Sequence, residues 1–84
     1  MLGPANDADV VRAIATAIHR YIVLHPDAAD SIDGIHHWWL PPSLHGEAPA
    51  WVEAAVARLV ADGVLRQVTQ EDGRVIYSSA LGRP

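Results

Sequence analysis

The sequence predicts a small α+β domain that is mostly helical, with three helices followed by a two-stranded β-hairpin. Apolar residues recur at helical spacing in three stretches, at residues 7–24, 32–40 and 49–60. Two short β-rich runs follow, and Asp72-Gly73 between them is a strong hairpin signal. The 84 residues are 50% hydrophobic and 19% charged, which is typical of a globular protein. We therefore expect one domain over residues 1–84, with tails at 1–6 and 81–84.

The first helix is predicted over about residues 7–24. Asn6 with Asp9 resembles a capping box, because the asparagine can accept an orphan amide and an acid suits the positive helix end. The helix should end before His25-Pro26, since proline disfavours the α-helical conformation of the residue before it. One face is apolar and should enter the core: Val11, Ile14, Ala15, Ile18, Tyr21 and Ile22.

The second helix is shorter and should reach about Leu40. Asp30 or Ser31 can cap its start, and Pro41-Pro42 ends it. Gly34 is a poor helix residue, and its small size indicates a place where another helix comes close. Four side chains share one face: Ile32, Ile35, His36 and Trp39.

The third helix begins at Pro49, which suits a first helical turn, and ends before Gly63, a typical C-terminal glycine. The segment between the second and third helices, PPSLHGEA, is predicted to be a loop. The apolar stripe of the third helix is Val52, Ala55, Val56, Leu59 and Val60. The centre of the core should contain Ile14, Ile18, Ile22, Ile35, Trp39, Val56, Leu59 and Leu65.

The segment Val52–Ala80, VEAAVARLVADGVLRQVTQEDGRVIYSSA, resembles the third helix, Asp-Gly turn and wing of winged helix-turn-helix domains. The superfamily includes DNA-binding regulators and protein-docking modules, and no single family within it is indicated. The resemblance implies a winged helix with a two-stranded wing. For a DNA-binding member, it places base-reading positions at Ala50, Glu53, Ala54 and Ala57, and phosphate contacts at Arg58, Arg66 and Arg74.

The charge distribution favours a protein partner over DNA. Residues 1–48 carry two arginines against six acids, residues 49–84 carry four against four, and the net charge is −4. Tight DNA binders make about 6 to 10 phosphate contacts, more than Arg58, Arg66 and Arg74 supply. We therefore predict a protein–protein interaction module, an adaptor or subunit of a larger assembly. The alternative is a DNA-binding regulator that acts as a dimer. The sequence is also compatible with a homodimer of the interaction module. We expect no duplex binding tighter than micromolar at about 150 mM salt.

The tryptophans suggest where a partner binds. Trp39 continues the apolar face of the second helix and should lie in the core. Trp38 and Trp51 lie beside the apolar stripes of their helices, which leaves two alternatives. They cap the edges of the core and hold the proline-rich loop, or they form an exposed aromatic patch of the kind enriched at binding hot spots. The flanking residues of that patch would be Pro41, Pro42, Leu44 and Ala50.

Catalytic and metal signatures are missing from the sequence. It has no cysteine, nucleophile elbow, phosphate-binding glycine loop or matched carboxylate pair. His36 and His37 are adjacent and not four residues apart as in zinc helices, although His45 could approach either one. We expect His36 to be packed and the other histidines to face solvent. The predictions are no enzyme activity, no metal and no cofactor, and a soluble cytoplasmic domain with no membrane contact.

Overall fold

Three helices and a three-stranded antiparallel sheet form the fold in the computed structural model, which describes residues 7–81. No helix within those residues has the length and hydropathy that crossing a bilayer requires. In chain order the elements are α1 (Asp7–Leu24), β1 (Ala29–Asp30), α2 (Ile32–Gly34), a π-helical turn (Ile35–Trp39), a 3-10 turn (Pro42–Leu44), α3 (Pro49–Ala61), β2 (Leu65–Thr69) and β3 (Val75–Ser79).

The helix boundaries agree with local sequence signals. The helix α1 runs to Leu24, and the backbone amide of His25 still donates to the carbonyl of Tyr21 before Pro26 turns the chain. Ser31 caps α2, because its hydroxyl accepts from the amide of Gly34 at 3.3 Å. Pro49 occupies the first turn of α3, as predicted. The predicted capping residue Asn6 lies outside the described residues.

The core lies between α1, the π-helical turn, α3 and the start of β2. All eight side chains that we predicted at its centre are buried. The burial follows from the stripes on α1 and α3, which pack against each other. The remaining buried hydrophobic residues of the described chain are Ala15, Leu40, Val52, Ala55 and Val64.

The predicted hairpin is present as β2 and β3, but the sheet has three strands in the order β1-β3-β2, so the prediction of a two-stranded sheet is wrong. The additional strand is β1, in which Ala29 and Asp30 pair with Ser78 and Tyr77 of β3. A strand of two residues is too short to show the alternation of apolar and polar residues that identifies a strand. It exists because the free edge of β3 offers backbone hydrogen-bonding groups to any extended segment beside it.

The connections around β2 form through glycines with positive φ. After α3, the amide of Gly63 (φ +79°) donates to the carbonyl of Val60, and that of Val64 donates to Leu59, which closes the helix in a Schellman motif. In the hairpin, Gly73 (φ +87°) is the last residue of the turn, and its amide donates to the carbonyl of Gln70. Both glycines were identifiable from sequence.

Gly34 has a different role from the predicted one. A side-chain carbon at this position would overlap the carboxylate of Asp30, not a second helix. That carboxylate accepts from the backbone amide of Ser31 at 2.8 Å. Glycine therefore allows an acidic side chain to fold over the first turn of α2, where free amides favour negative charge.

Candidate functional site

Trp38 and Trp39 are neighbours in sequence but differ strongly in solvent exposure. Trp39 is 5% exposed and stacks on Tyr21 of α1, with ring centroids 5.0 Å apart and planes inclined by 14°. Trp38 is 75% exposed and has no ring partner among the described residues. The turn therefore buries one indole and presents the other to solvent.

The π-helical turn ends where the two prolines begin. Leu40 adopts an extended conformation (φ −93°, ψ 144°), as expected for a residue that precedes a proline. Its side chain returns to the core and is buried. Trp39 and Leu40 thus anchor the end of the turn from inside, while Trp38 stays on the outside.

Two histidines hold the following loop (residues 41–48) against the π-helical turn. The His36 ring donates from Nε2 to the backbone carbonyl of His45 at 2.9 Å. The His45 ring donates from Nε2 to the carbonyl of Leu40 at 2.8 Å. We call these two hydrogen bonds the histidine clasp. It satisfies a carbonyl at a helix end and ties the loop to the π-helical turn.

The third histidine of this region bonds locally. The His37 ring donates from Nδ1 to the carbonyl of Asp33 at 2.8 Å, one turn earlier in the same helical segment. His36 is half-buried, whereas His37 and His45 are exposed. Within residues 7–81, no three histidine, cysteine or acidic side chains come together as metal ligands.

The residues predicted to form the aromatic patch lie in two kinds of environment. Trp51 and Leu44 are half-buried and pack against the core. Three residues are exposed with Trp38, namely Pro41, Pro42 and Ala50. Trp51 therefore has the surroundings of a residue at the edge of the core, and Trp38 has those of an exposed anchor.

The residues of the DNA-binding alternative are spread over separate surfaces. The four positions of α3 that would read base edges are exposed: Ala50, Glu53, Ala54 and Ala57. The only charged side chain among these four is that of Glu53. Arg58 lies on the α1 side of the helix, lining a depression with Arg12, and its Nε is 3.8 Å from Asp62. Arg66 donates to the carbonyl of Ser79 at 3.2 Å.

A second apolar region lies at the end of α1, where the sequence analysis predicted no site. Val23 and Leu24 are 57% and 69% exposed, and Leu81 is also exposed. Beside them is an open cleft of about 790 Å³ between the end of α1 and the end of β3, lined in part by Val23, Pro26, Arg66 and Leu81. One signal was available in the sequence: Val23 and Leu24 continue the apolar run but fall off the stripe of Ile14, Ile18 and Ile22.

Comparisons of the chain with family models, with curated proteins and with solved structures give no match.

Proposed function

We propose that this protein is a winged-helix interaction module that binds a segment of another protein through Trp38 and the adjoining loop (residues 41–48). In this proposal β2 and β3 form the wing, and the domain acts as an adaptor or as a subunit of a larger assembly. The single observation that supports it best is the 75% exposure of Trp38 beside a buried Trp39. An exposed indole leaves a large apolar surface in water, and tryptophan is enriched among binding hot spots.

The surroundings of Trp38 suit a binding surface that is organised before the partner arrives. Trp39 and Leu40 anchor the turn in the core, and the histidine clasp ties the loop to it. A preorganised surface loses less conformational entropy on binding than a mobile one. The indole of Trp38 is therefore presented from a restrained backbone.

The arrangement of charges supports a protein ligand in preference to duplex DNA. Arg58 points to the α1 side of α3, and the solvent-facing side of that helix carries Glu53. Phosphate contacts need several cations on one face, and base reading needs long polar side chains. The arginines of the described residues are instead divided between α1, α3 and the hairpin.

A random peptide display library selected on the immobilised domain tests the proposal. We expect enriched peptides to bind the wild-type domain and to lose at least about tenfold in affinity for Trp38→Ala, the range of a hot-spot residue. The matched control is Leu24→Ala, which removes an equally exposed apolar side chain at the end of α1. Its affinity should stay within about twofold of wild type.

Circular dichroism of both variants must match the wild type, so that a loss of binding is not a loss of folding. If the library yields no enriched peptides, or if the enriched peptides bind Trp38→Ala as well as wild type, the proposed function is wrong. If Leu24→Ala alone loses binding, the partner surface is the cleft at the end of α1.

A further inference from the structure

The charge pattern around Trp38 indicates what kind of segment it receives. Between Arg20 and Arg58 the chain contains no lysine or arginine. The same 37-residue interval, counted from residue 21 to residue 57, includes the π-helical turn, the loop and the first half of α3. Its acids are Asp27, Asp30, Asp33, Glu47 and Glu53. The segment that presents Trp38 therefore has acidic groups and no permanent cation of its own.

Three of these acids are not neutralised by the domain itself. Asp33, Glu47 and Glu53 form no ion pair within residues 7–81. Asp33 is exposed and lies in α2, which runs directly into the π-helical turn that carries Trp38 five residues later. Glu47 is half-buried in the loop that the histidine clasp holds against the turn. Both carboxylates are thus positioned by the elements that position Trp38.

An indole face without an aromatic neighbour is a favourable surface for a cation. Tryptophan is the best aromatic partner in cation–π contacts, and a planar guanidinium can stack on the ring while its remaining donors reach carboxylates. A purely apolar ligand would have to cover Trp38 while leaving the neighbouring acids in water or desolvating them at a cost. An acidic ligand would be repelled.

We propose that the partner segment is basic, with an arginine side chain that stacks on the Trp38 indole and pairs with Asp33, and with a further cation directed to Glu47. This inference rests on the proposed function, because it names the chemistry of the ligand for the same surface. The occupant is a cationic stretch of another protein. A second copy of this chain is disfavoured because each copy carries a net charge of −4, so two copies repel each other.

The composition of the selected peptides tests the inference separately from the proposed function. We expect arginine and lysine to be enriched over the input library, and replacement of the arginines by glutamine to weaken binding about tenfold. Affinity should also fall as salt is raised from about 50 to 500 mM, because exposed charge pairs are screened.

Charge variants of the domain locate the contact. Asp33→Asn and Glu47→Gln should each weaken the binding of an arginine-containing peptide several-fold. Glu71→Gln is the matched control, since it removes the same charge from the exposed hairpin turn and should change affinity less than twofold. The glutamine version of the peptide should bind the wild type and Asp33→Asn with equal affinity.

The possible failures are distinct. Trp38-dependent peptides without basic residues, or with binding that salt does not change, would overturn the basic-ligand inference and leave the proposed function standing. Peptides whose binding does not depend on Trp38 would overturn both. Sedimentation of the free domain at about 100 µM should show a monomer. If it shows an oligomer that dissociates in the Trp38→Ala variant, the ligand of Trp38 is a second copy of the chain and the inference is overturned.

Discussion

The inner and outer sides of the π-helical turn differ in what their side chains do for the fold. On the inner side, Trp39 is stacked on Tyr21, and Tyr21 in turn lies 4.3 Å from the ring of His25. On the outer side, Trp38 contacts no other aromatic ring in the described residues. A single turn thus separates a buried ring that packs in the core from an exposed ring that the fold does not use, and the proposed function assigns ligand binding to the exposed one.

The largest expected effect concerns the inner ring. Trp39→Ala should lower the free energy of unfolding by about 3–5 kcal/mol, because it removes a buried indole and leaves a cavity against Tyr21. Urea unfolding followed by circular dichroism measures the change. A loss below about 1 kcal/mol would show that the inner side does not carry the stability we assign to it.

A second, smaller effect concerns the start of the same helical segment. Gly34→Ala should lower stability by about 1 kcal/mol, because the new carbon displaces the Asp30 carboxylate from the amide of Ser31. In an Asp30→Ala background the same change should instead stabilise by about 0.5–1 kcal/mol, through the better helix propensity of alanine. A double-mutant cycle by thermal unfolding measures the coupling; additive effects would refute this explanation of Gly34.

The histidine clasp should contribute less to the free energy of unfolding than Trp39 or the contact between Gly34 and Asp30. His45→Ala is expected to lower stability by about 0.5–1 kcal/mol, because it removes the donor to the carbonyl of Leu40 at an exposed position. His19→Ala, at an exposed position on α1, is the matched control and should change stability by less than about 0.5 kcal/mol. Equal effects of the two changes would mean that the clasp does not restrain the loop.

The smallest effect is expected on the outer side. Trp38→Ala should change the free energy of unfolding by less than about 0.5 kcal/mol, since the indole is already in water. The two rings should also differ in fluorescence: acrylamide should quench less of the emission in Trp38→Ala than in Trp39→Ala. A strongly destabilised Trp38→Ala would place this ring in the fold and contradict the comparison.

Much of the fold was predictable because its signals are local. The ends of α1 and α3 depend on proline and glycine chemistry within a few residues, and Ser31, Gly63 and Gly73 have the cap and turn roles that their residue types favour. The stripes on α1 and α3 predicted the buried side chains because an amphipathic helix has only one face to bury. No comparable local signal exists for β1, whose two residues pair with a segment almost fifty positions later.

The candidate site was predictable only in part. The sequence identified Trp38, Trp51 and the loop as one region, but it left open whether these rings are exposed or packed. The structure places Trp51 and Leu44 against the core and leaves Trp38 in solvent. A tryptophan beside an apolar stripe can pack at the edge of the core or face solvent, and the neighbouring elements decide which of the two occurs.

The sequence by itself determined the helical segments, the hairpin, their order and the core, since hydrophobic spacing and turn chemistry act over a few residues. Only the tertiary structure decided the third strand, the approach of Asp30 to Gly34, the histidine clasp and the division of Trp38 from Trp39. Each of these depends on groups brought together from different parts of the chain, or on which side of a turn meets the core. Those relations arise when α1, α3 and the sheet pack against one another, and no short stretch of sequence contains them.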